Sequence, residues 1–484
     1  MSIQKNIIPK EEIAVKTNVD RTGFVFEWNG RFLRGIYPSG IKEITELLDS
    51  GVVGELVGKG LFPETTITDL ELEGCSLVVE HRKISPIINP SAWSFEMLKA
   101  AALTTIKVNL VAVKYGYTTI DAHAENVLFN NGDAIFIDLG SFLKVDNRSD
   151  KNKFGWRAFQ EFYLSFYYPL VLWKKGLVGV AKSFMASSEP ISWYEFFFIE
   201  HSFLRKIIPQ KCAKILAFCF FSYKAINIVP NDYILENLKH TPIRRAIGKL
   251  IVFLKSKKLL FFSNVNFNSL YKKVNEITLS NKSSQWADYH DAIEITDRFK
   301  RIIELIKMYN ATTILELGGN AGFLSKAIEA NICNMKRIIC SDYDNNAIDK
   351  LYLWKTEHPD SKIIPILLNI RNISDTAYDR YKSEAVLCLA IIHHLTITQG
   401  LSLEYIFEKI KKFSSKYVFI EFMPLGLYTE KYKCAPKPPS WYNYDWFKGG
   451  FQKYFNLVHE EALEENRILF IGELKCCLSG KGSK

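Results

Sequence analysis

The stretch TTILELGGNAGFLSKAIEA (312–330), followed by RIICSDYDNNAIDKL (337–351), constrains the fold more than any other part of the chain. It reads as an apolar strand, a glycine-rich turn, a helix, a second strand and an acidic residue at that strand's end. That is the order of a nucleotide-binding βαβ unit. Gly318, Gly319 and Gly322 let the backbone approach a ligand closely. Asn320 stands where such a loop usually has its middle glycine, and asparagine tolerates left-handed backbone better than most residues. Twenty positions after Gly322, Asp342 ends the second strand with Tyr343 beside it, where a carboxylate can accept hydrogen bonds from both hydroxyls of a ribose.

From residue 312 the alternation is regular. Strand candidates 312–317, 336–341, 362–368, 384–390 and 416–421 are separated by helical patterns, and a last pair lies at 455–463 and 466–474. The pattern predicts an α/β domain whose parallel sheet is covered on both faces and carries its functional loops at the strands' carboxyl ends. Just upstream, Ile295, Phe299, Ile302, Ile303 and Ile306 fall on one helix face. In the amino-terminal part, GFVFEWNGRFLRGIY (23–37) reads as a hairpin, residues 41–60 as helical, CSLVVEHR (75–82) as a strand, and 94–116 as a helix stopped by glycine. The polar string TLSNKSSQ (278–285) is the candidate linker. The expected organisation is a tail (1–20), a small β-rich lobe with a catalytic-type loop (21–150), a basic, aromatic-rich helical region (151–282) and the α/β domain (283–484).

At 484 residues, 48% apolar and 24% charged, the chain has material for several cores. Nine cysteines without C-x-x-C or Cys/His ligand spacing suggest neither a disulfide framework nor a zinc site, and so a reducing, cytoplasmic compartment. The first residues, MSIQKNIIPKEEIAVK, lack the apolar run of a signal peptide, and LAFCFF (216–221) is far too short to span a bilayer. The net charge of +10 is concentrated in residues 151–282, with about 21 Lys or Arg against about 7 Asp or Glu. That excess is compatible with an anionic partner such as a phosphorylated glycan, a nucleotide or a lipid headgroup layer, and equally with a solvated helical face. No nucleic-acid module accompanies it.

Residues 283–484 resemble a class I S-adenosylmethionine-dependent methyltransferase, in which the first strand carries an acidic residue, here Glu316, ahead of the glycines. An NAD-binding turn usually has no carboxylate there, because it must receive a pyrophosphate. The resemblance implies a Rossmann-like seven-stranded sheet with an antiparallel final pair, and S-adenosylmethionine held by Glu316, Gly318, Gly319, Asn320, Gly322, Asp342, Tyr343 and Asn369. Asn369 takes the place of an aspartate that many members set beside the adenine; an amide can still bond that ring. The fourth strand leads into CLAIIHHLTI (388–397), so His393 and His394 leave the sheet where an acceptor should meet the methyl group, as candidate bases. Glu421, in VFIEF (418–422), is a second candidate. The His-His pair and the long amino-terminal extension are similar to a bacterial, nodulation-type subgroup of the family.

The stretch DAHAENVLFNNGDAIFIDLGSF (121–142) resembles protein and small-molecule kinases at a few positions. By that likeness Asp121 would orient an attacking hydroxyl, and Asn126 and Asp138 would hold magnesium for ATP. No glycine-rich phosphate cover or Val-Ala-Ile-Lys strand precedes it; Arg34 is the nearest substitute for the lysine, with Glu46 as its expected partner from the next helix. Together the resemblances imply a methyltransferase acting on a hydroxyl, phosphate or amine of a small-molecule or glycan substrate, anionic or lipid-linked, with a kinase-like module for substrate binding or regulation. A bifunctional kinase and methyltransferase, or a non-catalytic nucleotide-binding scaffold, remain open.

Overall fold

The computed structural model describes residues 7–13, 16–17, 19–145, 156–186, 191, 193–200, 232, 235, 239, 242–256, 265–280, 284, 295–427 and 437–475. The chain separates into two compact units. The first comprises residues up to Ser85, Asn89–Ser91 and Met97–Ser280; the second comprises Pro86–Ile88, Ala92–Glu96 and the chain from Asn281. The basic stretch, as far as it is described, belongs to the first unit. LAFCFF and the first six residues lie outside the described residues, as does most of the carboxyl half of the linker string.

In the first unit five strands form an antiparallel sheet ordered β1-β2-β3-β5-β4: β1 (Lys16–Thr17), β2 (Gly23–Trp28), β3 (Arg31–Ile36), β4 (Thr65–Ile67) and β5 (Leu77–His81). Asn29 and Gly30, both at positive φ, make the two-residue turn between β2 and β3, which matches the twist of the paired strands. The helical stretch after it is two helices, Ile41–Asp49 and Val52–Gly58, interrupted where Gly51 takes φ 84°. Beyond the helix Phe95–Ala112, β6 (Tyr117–Thr119) pairs with β9 (Phe142–Lys144), and β7 (Val127–Asn130) with β8 (Asp133–Phe136). Buried Asn109 ties this part to the helix, accepting from Thr119 N and donating to Thr105 O, both at 3.0 Å. In the aromatic run, Phe162, Phe166, Tyr168, Leu170, Leu172 and Trp173 are buried, so these side chains serve as core.

The second unit is built on a seven-stranded sheet: β10 (Thr313–Leu317), β11 (Arg337–Asp342), β12 (Ile363–Leu367), β13 (Ser383–Cys388), β14 (Ser414–Phe422), β15 (Phe455–Glu464) and β16 (Arg467–Leu474). Their order is β12-β11-β10-β13-β14-β16-β15. The first five run parallel, and β16 is antiparallel to both β14 and β15. Near-continuous apolar strands such as ILEL and AVLC are what a parallel sheet covered on both faces requires. The helix Asp297–Met308 buries Phe299, Ile302, Ile303, Leu305 and Ile306. Thr296 caps that helix, accepting from Phe299 N, so Ile295 falls before the first turn and is 38% exposed rather than part of the face.

Candidate functional site

The turn after β10 is held in left-handed backbone at three points: Gly318 (φ 73°), Asn320 (φ 55°) and Gly322 (φ 78°). Asparagine at 320 therefore does what its residue type allows. A Cβ on Gly318 would lie 2.6 Å from Ile391 Cγ2, so glycine is needed there for contact with the loop after β13 as well as for its backbone angle. Gly319 answers a different need. A Cβ there would lie 2.5 Å from Cys340 Sγ and 2.9 Å from Glu316 Oε2.

Asp342, at the end of β11, joins this turn directly. One carboxylate oxygen accepts from Asn320 N and the other from Asp344 N, each at 2.9 Å, and burial raises its affinity for a proton. Each oxygen keeps a further acceptor site. Glu316 is buried beneath the turn, accepts a hydrogen bond from Ser325 Oγ and is pushed up by burial to about 7. It braces the turn against the first turn of the helix Phe323–Asn331. Ser325 carried no signal in the sequence, because its role depends on a contact nine positions away. Tyr343 follows Asp342 and is 59% exposed, and exposed Asn369 uses its Oδ1 to accept from Arg371 N at 3.0 Å. The turn, Asp342 and Asn369 thus stand at the carboxyl ends of three neighbouring strands.

The loop after β13 carries an unforeseen feature: Ala390 sits at φ 53°. Left-handed backbone at alanine is strained and clusters at functional sites. Three residues on, His393 is buried, and its Nδ1 has no hydrogen-bond partner among the described residues. Its ring centroid lies 4.1 Å from that of His394. Burial, then His394 and Arg467, hold His393 down to about 3, and burial also lowers half-buried His394. His393 is therefore a neutral imidazole at physiological pH, a weaker base than the ordinary imidazole the sequence suggests.

Glu421 has no exposed surface. Arg298 donates to it through Nε at 2.6 Å and through a second guanidinium nitrogen at 2.7 Å, and Arg467 donates at 3.2 Å. A carboxylate engaged by two arginines is a structural centre with little acceptor capacity left for a substrate proton.

In the first unit, Asp121, His123 and Glu161 come together with potential ligand atoms within 4.8 Å of one another. His123 Nε2 is 2.7 Å from Glu161 Oε1. Burial and Glu161 raise Asp121 to about 7, while Glu161 is lowered and His123 is raised to about 9 by its bond to Glu161. Asp138 Oδ1 accepts from Gly140 N at 2.9 Å and lies 4.0 Å from an Arg34 guanidinium nitrogen. Buried Arg34 donates to Asp20 and, at 3.0 Å, to Thr22 Oγ1. Its expected partner Glu46 instead meets Lys144 at 2.9 Å. A Cβ on Gly140 would overlap both Asp20 and Arg34, so the glycine of Asp138-Leu139-Gly140 seats this ion pair. Asn126 Nδ2 is buried without a partner among the described residues.

No family model matches the chain. Nodulation protein NoeA of Rhizobium meliloti (strain 1021) is 24% identical to it over 439 residues, covering 84% of this chain and 83% of that protein. Among solved structures, the chain resembles the N-methyltransferase NodS from Bradyrhizobium japonicum WM9, at 12% identity and a TM-score of 0.28, over 37% of this chain and 99% of that one. It also resembles the N-terminal domain of EvdMO1 with SAH bound, at 15% identity and a TM-score of 0.28, over 38% of this chain and 84% of that one. A third is magnesium protoporphyrin IX methyltransferase (ChlM) from Synechocystis PCC 6803 with bound SAM, at 9% identity and a TM-score of 0.28, over 40% and 87% respectively. Likenesses this weak assign no function to the chain. Among the described residues, no helix is long and apolar enough to cross a membrane.

Proposed function

We propose that residues 283–484 are an S-adenosylmethionine-dependent methyltransferase acting on a hydroxyl, phosphate or amine of a glycan or secondary metabolite, with the amino-terminal part a kinase-like module for substrate binding or regulation. One observation carries the reading. The Asp342 carboxylate is bonded to the backbone of the glycine turn through Asn320 N, so that turn and acid form one cradle at the carboxyl edge of the sheet. The cradle suits the donor: left-handed backbone at Gly318, Asn320 and Gly322 shapes the turn, and the spare acceptor sites of Asp342 match two ribose hydroxyls. When bound, S-adenosylmethionine supplies an electrophilic methyl group on a positively charged sulfur.

The chain's own residues then hold and orient. Asp342 would hold the ribose, Glu316 keeps the turn in shape, and Asn369 and Tyr343 would stand beside the base. His393 orients the acceptor, and half-buried His394 passes the released proton to solvent. Methyl-labelled donor incubated with the intact chain and a bacterial metabolite extract, read by mass spectrometry, should give a labelled product. The His393→Ala/His394→Ala variant should lose it while keeping its donor affinity. No transfer with any acceptor fraction would leave the scaffold reading in its place.

The bifunctional reading needs magnesium at Asn126 and Asp138, and the residues do not fit it. Arg34 already sets a positive charge beside Asp138, and one of its terminal nitrogens is taken by Asp20. Asp121, Asn126 and Asp138 are better suited to a polar network. Magnesium-ATP is therefore expected to leave the melting temperature unchanged. A magnesium-dependent stabilisation lost in Asp138→Asn would reverse the order of the two readings.

A further inference from the structure

Within the basic stretch, PIRRAIGKLIVFLKS forms the helix Pro242–Ser256, with four Lys or Arg and no acidic residue. At about 100° per residue, positions 246, 250 and 253 share one stripe. That stripe points outward: Ala246 is exposed, Leu250 is 55% exposed and Phe253 is 54% exposed. Gly248, about 160° round the helix from Leu250, is buried, so the helix lies on its opposite side and presents large apolar groups to solvent. Exposed Arg245 and Lys249 flank the stripe along one edge.

The geometry points to peripheral docking of this helix on an anionic phospholipid surface, with Leu250 and Phe253 entering the headgroup and acyl boundary and Arg245 and Lys249 meeting the phosphates. Charge complementarity selects this occupant. A helix with cations and no anions beside its apolar stripe, in a region carrying 21 basic against 7 acidic residues, suits a surface that is negative outside and apolar beneath. A second copy of the same helix would set like charges against each other. Its 15 residues also fall short of the roughly 20 needed to cross a bilayer, so it lies along the surface.

Co-sedimentation of the full chain with vesicles tests this. Vesicles of phosphatidylcholine mixed with phosphatidylglycerol should bind the protein, phosphatidylcholine alone should not, and raised salt should release it. Leu250→Asp and the pair Arg245→Glu/Lys249→Glu should each weaken binding by about tenfold or more without changing the melting temperature. Because Arg245 and Lys249 are exposed, the charge-reversed pair remains informative if Leu250→Asp misfolds. Absence of binding to the anionic vesicles overturns the proposal, as does unchanged binding in the charge-reversed pair. A dimer in light scattering that Leu250→Asp converts to monomer, with no vesicle binding, assigns the stripe to a second copy instead.

Discussion

Asp342→Ala is expected to weaken binding of S-adenosylhomocysteine by two orders of magnitude or more. In the proposed cradle the substitution removes the acceptor for two ribose hydroxyls, and hydrogen bonds to a charged group contribute about 1.5–3 kcal/mol each. It also removes the acceptor of Asn320 N and Asp344 N, so the glycine turn loses its tie to the neighbouring strand. Asp342→Asn separates the two effects. An amide oxygen can keep one of the backbone bonds while losing the charge, so this variant should lose less stability than Asp342→Ala and still bind the donor poorly. Calorimetric titration of both variants reads the outcome, and wild-type affinity in folded Asp342→Ala would remove the donor from this cradle.

The second large effect concerns stability. Glu421→Ala should cost about 3–5 kcal/mol, because it strands the Arg298 guanidinium that the fold has taken out of water and leaves Arg467 with Glu464 alone. Chemical unfolding measures this directly. Glu421→Gln should also unfold more easily, since an amide offers one acceptor oxygen and no charge to Arg298 and Arg467. If Glu421 were instead the base of the reaction, the glutamine variant would fold with wild-type stability and lose methyl transfer alone.

The glycine turn and its neighbouring acid were legible because their requirements are local. Positive φ selects glycine and asparagine within one turn, and the alternation of strand and helix sets Asp342 at the next strand's end. The hairpin at Asn29-Gly30 was legible for the same reason. What the sequence concealed depends on contacts between distant segments. Arg34 finds Asp20 rather than Glu46, because strand pairing and the seat on Gly140 decide which carboxylate reaches the guanidinium. Arg298 and Arg467 lie 123 and 46 positions from Glu421, and no spacing rule joins them. Ala390 has no preference for left-handed backbone, so its strained angle could come only from the surrounding packing. The depressed basicity of His393 is likewise a product of burial, which a His-His pair in a sequence does not reveal.

The most direct test of the methyl-donor assignment is calorimetric titration of S-adenosylhomocysteine into the intact wild-type chain. The cradle at Gly318–Gly322 and Asp342 predicts saturable binding of one molecule per chain. No heat of binding from folded protein, at ligand concentrations well above those that saturate ordinary nucleotide sites, would contradict it.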